Sequence, residues 1–414
     1  MDFLMMVLLT IVLDIVTFRG IKRIFPEFGF RKRRTVRIVF TIQALLVLGI
    51  LLGGLLLKNH VRDYRLTALY YYLFGGVMAL YFPKLLFVAV LIVDWLLLAI
   101  NRRKRHSRRL PPRRSRHVFA KCGIAVCLFF AVLLIWGMLF GNRNYTVEPV
   151  EITLDALPPA FDGYRIVQIS DIHAGSFFGK TGCFREAVDI INRLHPDVIV
   201  FTGDMVNNFA EETDPLIPVF SQLNAKDGKY AVLGNHDYGK YYEWADVEDQ
   251  ADNRKALETA IARMGFELLN NSAVPLEKDS SNRIALVGVE NWGAAKRHPK
   301  EADIGKAAEA VNDIPFKILL SHDPSYWCEK IVGKTDPALT LSGHTHGGQI
   351  GFKLGKNRLG PIKLRYRYWA GLYHSGNQYL YINRGLGVIG YPGRIGMPPE
   401  ITLITLKKGS DSGF

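Results

Sequence analysis

Hydrophobic positions change their pattern near residue 145 of the 414-residue chain. Before that point, long apolar runs alternate with arginine-rich loops, and after it short apolar runs alternate with mixed polar segments. A run of about 20 apolar residues crosses the hydrocarbon core of a bilayer as a helix. About four membrane spans are therefore predicted, roughly at 3–18, 36–57, 66–100 and 118–140. Because no small-residue cleavage site follows the first run, we expect it to be a retained anchor.

The run from 66 to 100 allows two interpretations. As one helix it would be roughly 50 Å long at 1.5 Å per residue, which exceeds the need of a bilayer, whereas a break at Pro83 would give two short spans. The arginine-rich loops 19–35 and 101–117 both face the cytoplasm only if an even number of spans separates them. This favours four spans, with everything after residue 140 outside the cytoplasm. Five spans remain the alternative.

The positive charge of the chain is concentrated beside the predicted spans. Loop 19–35 holds seven Lys or Arg and one Glu, and loop 101–117 holds nine Lys or Arg and no acid. Without these loops the formal net charge falls from +14 to −1. Basic residues next to apolar spans bind anionic headgroups. We therefore expect the lipid bilayer as a partner and no nucleic acid, and the sequence indicates no protein partner.

Three charged residues, Asp14, Lys84 and Asp94, lie within or near the apolar runs. Charges inside a membrane are candidates for function, and the alternative is that they pair with one another. The sequence leaves both interpretations open.

Four cysteines are too few for a disulfide framework. Cys183 and Cys328 lie in the second part of the chain, and their spacing does not decide whether they form a disulfide.

The chain after residue 144 predicts an α/β domain, because short apolar strands alternate with amphipathic helices. Residues 145–162 are predicted as a linker and edge strand, 163–408 as the α/β domain itself and 409–414 as a flexible tail. The predicted strands cover 164–169, 197–201, 230–233, 284–289, 316–320, 338–341, 379–382 and 401–406, and the predicted helices cover 183–194, 216–223 and 253–264.

Acidic, amide and imidazole side chains directly follow five of the predicted strands. Ligands bind at the carboxyl ends of sheet strands, where the loops converge. Oxygen and imidazole nitrogen donors together suit first-row divalent metals. The sequence therefore predicts a metal site at these strand ends, which carry Asp171, His173, Asp204, Asn235, His236, Asp237, His322, Asp323, His344 and His346.

These five fragments, Asp-x-His, Gly-Asp, Gly-Asn-His-Asp, a single His and Gly-His-Thr-His, resemble the signature of the calcineurin-like metallophosphoesterases over residues 163–406. Segments 383–387 and 399–403 are most similar to the membrane-associated branch. That branch includes YkuE/YaeI-type bacterial enzymes, UDP-diacylglucosamine pyrophosphatases and eukaryotic transmembrane metallophosphoesterases. The resemblance implies a two-sheet β-sandwich flanked by helices, which here follows an all-α membrane region.

The resemblance also implies two divalent cations, Mn, Zn, Fe or similar, and assigns each site residue a role. One cation would be held by Asp171, His173 and His346, the other by Asn235, His322 and His344, and Asp204 would bridge them. His236 would lie beside the scissile phosphate, and Asp237 would orient the ring of His236. Asn207 stands where purple acid phosphatases have an iron-binding tyrosine, so a tyrosinate-bound ferric ion is not expected.

Three further features bear on the substrate. Arg384 is a candidate phosphate contact, because a guanidinium binds phosphate through paired hydrogen bonds. Two aromatic clusters suit either a membrane-facing rim or ordinary packing. They consist of Tyr238, Tyr241, Tyr242 and Trp244, and of Tyr366, Tyr368, Trp369 and Tyr373.

The expected activity is hydrolysis of a phosphate ester or pyrophosphate by hydroxide held between two metals. The membrane spans favour a lipid-linked substrate at the membrane surface. One alternative is a membrane-tethered phosphodiesterase for soluble nucleotides. Another is an inactive hydrolase domain that serves as a membrane sensor or scaffold, although the complete set of ligand positions argues against it.

Overall fold

The computed structural model describes residues 3–107, 117–179, 182–293, 300–355 and 357–409. The chain forms two compact units, one from residues 1–61 and 70–139 and the other from residues 62–69 and 140–414. Each unit has apolar clusters of its own. Residues 62–69, which the sequence placed in the membrane region, belong to the second unit.

Four helices account for the N-terminal apolar runs: α1 (Phe3–Ile24), α2 (Phe30–His60), α3 (Tyr64–Ser107) and α4 (Val118–Phe140). All four are long and apolar enough to cross a membrane. Many of their leucine, isoleucine and phenylalanine side chains are exposed, as expected for helices that face lipid. Because α3 continues through Pro83 as one helix, the described part of the chain has four helices capable of crossing a membrane rather than five.

The charged side chains within these helices pair with one another. The Lys84 ammonium forms an ion pair with the Asp14 carboxylate, and the Tyr81 hydroxyl donates to Asp14 at 2.8 Å. Nδ1 of His117 lies 2.8 Å from the Asp94 carboxylate. Pairing reduces the cost of a charge in an apolar medium, so these residues are accounted for by structure alone.

The second unit is built on two six-stranded sheets and a short hairpin. Its helices are α5 (Gly182–Arg193), α6 (Ile217–Phe220), α7 (Val247–Arg263) and α8 (Ile304–Ala308). Its strands are β1 (Thr146–Leu154), β2 (Arg165–Ile169), β3 (Val198–Phe201), β4 (Lys229–Ala231), β5 (Glu267–Leu268), β6 (Ser272–Glu277), β7 (Arg283–Gly288), β8 (Lys317–Leu320), β9 (Leu339–Ser342), β10 (Phe352–Leu354), β11 (Asn357–Leu359), β12 (Gly371–Ser375), β13 (Gln378–Ile382) and β14 (Glu400–Lys408).

The two sheets pack face to face. The strand order is β1-β14-β2-β3-β4-β5 in one sheet and β12-β13-β9-β8-β7-β6 in the other, and β10 pairs only with β11. Ile166, Val200, Ile318 and Leu341 belong to one buried cluster that joins the two sheets. This architecture confirms the expected two-sheet sandwich.

Helices cover the outer faces of the sandwich, which explains why its central strands are apolar throughout. In β2, Ile166 belongs to the cluster between the sheets, whereas its neighbour Val167 packs in a second cluster with Phe184 of α5 and Leu257 of α7. Successive side chains of a strand point to opposite faces. A strand buried on both faces therefore lacks the apolar–polar alternation of an exposed sheet.

Several boundaries differ from those predicted from the sequence. The segment predicted as a linker and edge strand contains β1, whose nine residues pair in parallel with β14. Helix α7 begins at Val247, six residues before its predicted start, because the Asp246 carboxylate accepts a hydrogen bond from the Asp249 N–H and caps it. The predicted tail lies outside the described residues from 410 onward. Neither Cys183 nor Cys328 is part of a disulfide.

Candidate metal and phosphate site

The predicted site residues meet where five strand-to-loop turns converge. Strands β2, β3 and β4 pair in parallel in one sheet, and β8 and β9 pair in parallel in the other. Their carboxyl ends therefore open at one edge of each sheet. The turn after β9 requires Gly343, since a Cβ atom there would lie 2.3 Å from Oδ2 of Asp171.

Five of these side chains stand on left-handed backbone. The structure describes ten residues other than glycine with positive φ, and half of them are in this cluster: Asp171 (50°), His173 (48°), Asp204 (60°), His344 (71°) and His346 (52°). This conformation is sterically costly for an L-residue. Such strain tends to gather at functional sites, where surrounding structure holds it in place.

Asp171, His173 and His346 form the first group of donors and are all buried. Nε2 of His173 lies 3.0 Å from Nε2 of His346, and the latter nitrogen lies 3.3 Å from Oδ1 of Asp171. The backbone N–H of His344 donates to the Asp171 carboxylate at 3.0 Å. One donor atom from each of the three side chains lies within 4.8 Å of the other two, which is close enough for one cation.

Asp204, His322 and His344 form a second group on the other side of Asp204. Nε2 of His322 lies 3.2 Å from Oδ2 of Asp204 and 3.2 Å from Nδ1 of His344. The Asp204 carboxylate also lies 3.5 Å from Nε2 of His173 in the first group. The carboxylate of Asp204 therefore lies between the two groups.

Asn235 brings a further oxygen donor, its side-chain Oδ1, to the site. Its Nδ2 donates to the Tyr241 hydroxyl at 2.8 Å. Its Oδ1 is buried and has no hydrogen-bond partner among the described residues. A buried amide oxygen is normally satisfied. The exception here is explained if that oxygen ligates a cation.

Burial and mutual charge set the protonation of the site without metal. Burial lowers the pKa of His173 to about 3 and raises the pKa of Asp171 to about 7. Burial also opposes the charge of His322, but the neighbouring Asp204 and Asp171 carboxylates outweigh it and raise the pKa of His322 to about 10. His173 is thus neutral, the form that binds metals, while His322 must release a proton to become a ligand.

The residues fit divalent cations on chemical grounds. The carboxylates of Asp171 and Asp204 are buried, and within the described ranges each has ion-pair contacts only to histidine. Buried carboxylates need a cationic partner. The oxygen and nitrogen donors are of the types that Mn, Fe and Zn accept.

The structure changes the expected role of Asp237. The Asp237 carboxylate accepts hydrogen bonds from the backbone N–H groups of Asp204, Met205 and Gly234 at 2.8–2.9 Å. Nδ1 of His236 lies 2.9 Å from the backbone carbonyl oxygen of Asn207. That carbonyl therefore orients the His236 ring, whereas Asp237 fixes the turn that carries Asp204.

The expectation that Arg384 contacts phosphate is also corrected. Its side chain is buried, its Nε forms an ion pair with Glu400, and its Nη2 donates to Glu148 at 3.1 Å. A guanidinium paired with the buried Glu400 and the half-buried Glu148 holds the β1 and β14 strands together. These contacts occupy its Nε and Nη2 atoms.

Sequence reasoning missed two residues that shape the site. Oδ1 of Asn207 lies 3.0 Å from Nδ1 of His173. The buried Glu212 carboxylate accepts backbone N–H groups of Gly175, Asn208 and Phe209 at 2.9–3.0 Å. Neither residue follows a strand directly, so the pattern that found the donors could not find them.

Two tyrosines from the aromatic clusters reach the site. The Tyr241 ring stacks on His236 with ring centroids 4.2 Å apart, and the Tyr366 hydroxyl lies 3.0 Å from Nε2 of His344. Other members pack internally, as Tyr368 does against Trp327 and Tyr373. Ordinary packing therefore explains much of both clusters.

Comparison with known proteins gives the same assignment for both parts of the chain. Residues 164–348 match the family model described as calcineurin-like phosphoesterase, and residues 1–142 match the model described as probable calcineurin-like phosphoesterase, transmembrane domain.

Similar curated proteins come from bacteria and vertebrates. The chain is 32% identical to the uncharacterized metallophosphoesterase YkuE of Bacillus subtilis over 64% of this chain and 86% of that protein. It is 31% identical to the transmembrane protein with metallophosphoesterase domain of Danio rerio over 69% of this chain and 62% of that protein. Four membrane-capable helices, the two-sheet fold and these matches together show that the chain is a membrane protein with a phosphoesterase hydrolase domain, and that it belongs to the calcineurin-like phosphoesterase family.

Proposed function

We propose that this protein is a dinuclear divalent-metal phosphohydrolase that cleaves a phosphate ester or pyrophosphate of a lipid-linked substrate at the membrane surface. The observation that supports it best is the convergence of seven donor side chains from five strand ends. Among them, the buried Oδ1 of Asn235 has no hydrogen-bond partner in the described residues and is available to a cation.

Each cation would be held by three side chains of its own and would share Asp204. Asp171, His173 and His346 would hold one, and Asn235, His322 and His344 would hold the other. When bound, such cations neutralise the phosphate oxygens and make hydroxide available near neutral pH.

His236 would exchange a proton with the leaving-group oxygen. The contact between its Nδ1 and the Asn207 carbonyl, at 2.9 Å, makes Nδ1 the N–H nitrogen and assigns proton transfer to Nε2. Stacking on Tyr241 holds the ring in place. A positioned histidine of this kind contributes about 10²- to 10⁴-fold to rate.

The membrane helices support the proposed substrate class. Four apolar helices exceed what a tether needs, and they confine the hydrolase to the membrane, where lipid-linked phosphates are found. From the positive-inside rule, the hydrolase unit would lie outside the cytoplasm. Protease digestion of sealed right-side-out vesicles tests the side: cleavage within residues 145–409 is expected, and full protection would contradict it.

The deciding experiment measures hydrolysis by the full chain reconstituted in lipid discs and loaded with Mn²⁺. The substrates are a panel of lipid monophosphates, lipid pyrophosphates and soluble nucleotides. We expect faster turnover of the lipid phosphates. Asp204→Asn should lower turnover by orders of magnitude and release metal, whereas the matched control Asp214→Asn, at an exposed position, should change neither. Wild-type activity in Asp204→Asn would overturn the metal-site assignment.

The same panel addresses the two alternatives. Equal turnover of soluble nucleotides and lipid phosphates would favour a membrane-tethered phosphodiesterase. A protein that binds no metal and hydrolyses none of the substrates would favour an inactive domain with a sensor or scaffold role.

A further inference from the structure

The charge of the second unit is unevenly distributed along the chain. Residues 337–399 contain eight Lys or Arg and no Asp or Glu. Two of these, Arg384 and Arg394, are buried. The other six lie between 353 and 367, a stretch in which Lys356 is outside the described residues.

The same stretch carries most of the exposed large apolar side chains that follow the last apolar helix. Among the described residues after Phe140, five such side chains are exposed, and four of them lie between 352 and 372: Phe352 (57%), Leu354 (66%), Leu364 (94%) and Leu372 (41%), the fifth being Val247 (82%). Phe352 and Leu354 are on β10, and Leu364 ends the short helical turn Pro361–Leu364. A group of exposed apolar side chains of this size marks an interaction site.

We propose that this surface, formed by Phe352, Leu354, Leu364, Lys353, Lys363 and Arg367, binds an anionic lipid surface. Exposed apolar side chains interleaved with lysine and arginine are the composition with which proteins enter the headgroup region of a membrane. No acid lies within residues 337–399. Among the described residues, the ion pairs of 353–367 join Glu148 to Lys353 and Arg358, which leaves the charges of Lys363 and Arg367 uncompensated. This complementarity favours anionic lipid over an uncharged membrane or a protein partner.

The surface is joined through Glu148 to the strand that follows the last apolar helix. The Glu148 carboxylate forms an ion pair with Nη2 of Arg358 on β11 at 3.0 Å. It also lies 3.5 Å from Nζ of Lys353 on β10. Glu148 comes eight residues after Phe140, the last residue of α4. Eight extended residues span at most roughly 29 Å. The β10–β11 hairpin is thus tied to the first strand after the last apolar helix.

The surface adjoins the candidate metal site. Ile362 packs against Gly348 so closely that a Cβ atom added at Gly348 would lie 2.7 Å from the side chain of Ile362. Two residues after Leu364 comes Tyr366, whose hydroxyl contacts His344. The lipid surface would therefore bring phosphate headgroups to the mouth of the site, and this link to catalysis rests on the proposed function.

Hydrogen exchange of the full chain in lipid discs tests the surface without using catalysis. Amides of residues 352–367 should exchange several-fold more slowly in discs that contain phosphatidylglycerol than in discs of phosphatidylcholine alone, and added salt should reduce the difference. Leu364→Asp and Lys363→Glu should abolish it. The matched exposed controls Val247→Asp and Lys255→Glu should retain it.

Hydrolysis of soluble bis(p-nitrophenyl) phosphate should be unchanged in all four variants, which shows that they are folded. Equal exchange in both kinds of disc would overturn the proposal. Amide exchange that is slowed equally with and without anionic lipid would also overturn the proposal. So would slowing that appears only when each disc holds several protein copies, which would indicate a protein contact. A wild-type protein that hydrolyses no phosphate would refute the proposed function and leave the lipid surface intact.

Discussion

Oδ1 of Asn207 lies 3.0 Å from Nδ1 of His173. A carbonyl oxygen in this position accepts the Nδ1–H proton, so the lone pair of the histidine is on Nε2 and is directed at the candidate metal site. The side chain of Asn207 thus selects the tautomer of a proposed ligand, although it would not contact the cation itself.

Replacing Asn207 with Leu should lower the affinity for Mn²⁺ by about 10- to 100-fold, because the second ring nitrogen loses its partner. Competition with a fluorescent chelator measures this affinity. Asn208→Leu is the matched control, since Oδ1 of Asn208 has no hydrogen-bond partner among the described residues. Equal affinities of the two variants would show that Asn207 does not position His173.

Tyr241→Phe should lower kcat/KM by about 2- to 10-fold, since the amide of Asn235 loses one net hydrogen bond and its Oδ1 is less firmly directed. Tyr242→Phe, whose ring packs on Phe209 and Trp244, should leave kcat/KM unchanged. If both variants behave like wild type, the Tyr241 hydroxyl does not orient Asn235.

His236→Asn should reduce kcat by about 10²- to 10⁴-fold for substrates with alkyl leaving groups. The reduction should be much smaller for p-nitrophenyl esters, whose leaving group needs no proton. Metal content measured by inductively coupled plasma spectrometry should not change. Loss of one metal equivalent would instead make His236 a ligand, an arrangement compatible with its position beside His173 and Asp204.

Metal affinity should rise with pH. The Asp204 and Asp171 carboxylates raise the pKa of His322 to about 10 in the metal-free protein, so His322 carries a proton at neutral pH. A cation must displace that proton, and the apparent affinity should therefore increase by about tenfold per pH unit between pH 8 and 9, and more steeply below pH 7, where Asp171 also carries a proton. Calorimetry in buffers of different ionisation enthalpy should detect proton release, and binding without it would contradict the assignment of His322.

Arg384→Met should destabilise the fold by about 3–5 kcal/mol, because it leaves the buried Glu400 carboxylate unpaired. Thermal unfolding measures this loss. Arg358→Met breaks only a partly exposed contact with Glu148 and should cost less. At a temperature where Arg384→Met is folded, its KM should equal that of wild type; a raised KM would restore Arg384 as a phosphate contact.

The sequence predicted which side chains would converge, because five apolar strands each end in a polar triplet or pair. Parallel strands expose such ends together, so Asp171, Asp204, Asn235, His322 and His344 could be grouped before their distances were known. Their roles as ligands remain predictions. Membrane spans were equally accessible, since length and apolarity alone define them.

The errors have a common cause. The affinity of a guanidinium for phosphate predicts a substrate contact for Arg384, but the contacts of Arg384 with Glu148 and Glu400 depend on strand pairings far apart in sequence. The role of Asp237 was inferred from its neighbour His236, whereas its hydrogen bonds go to the turn after β3. Single-residue chemistry does not reveal which partner a side chain meets.

The left-handed backbone at Asp171, His173, Asp204, His344 and His346 has a practical consequence for mutagenesis. Asparagine, aspartate and glycine tolerate this conformation, whereas alanine and branched residues add a conformational penalty. An alanine scan would therefore mix loss of a donor atom with altered loop geometry. Asparagine replacements keep the torsion angles accessible, so they report on the exchange of a carboxylate or imidazole donor for an amide.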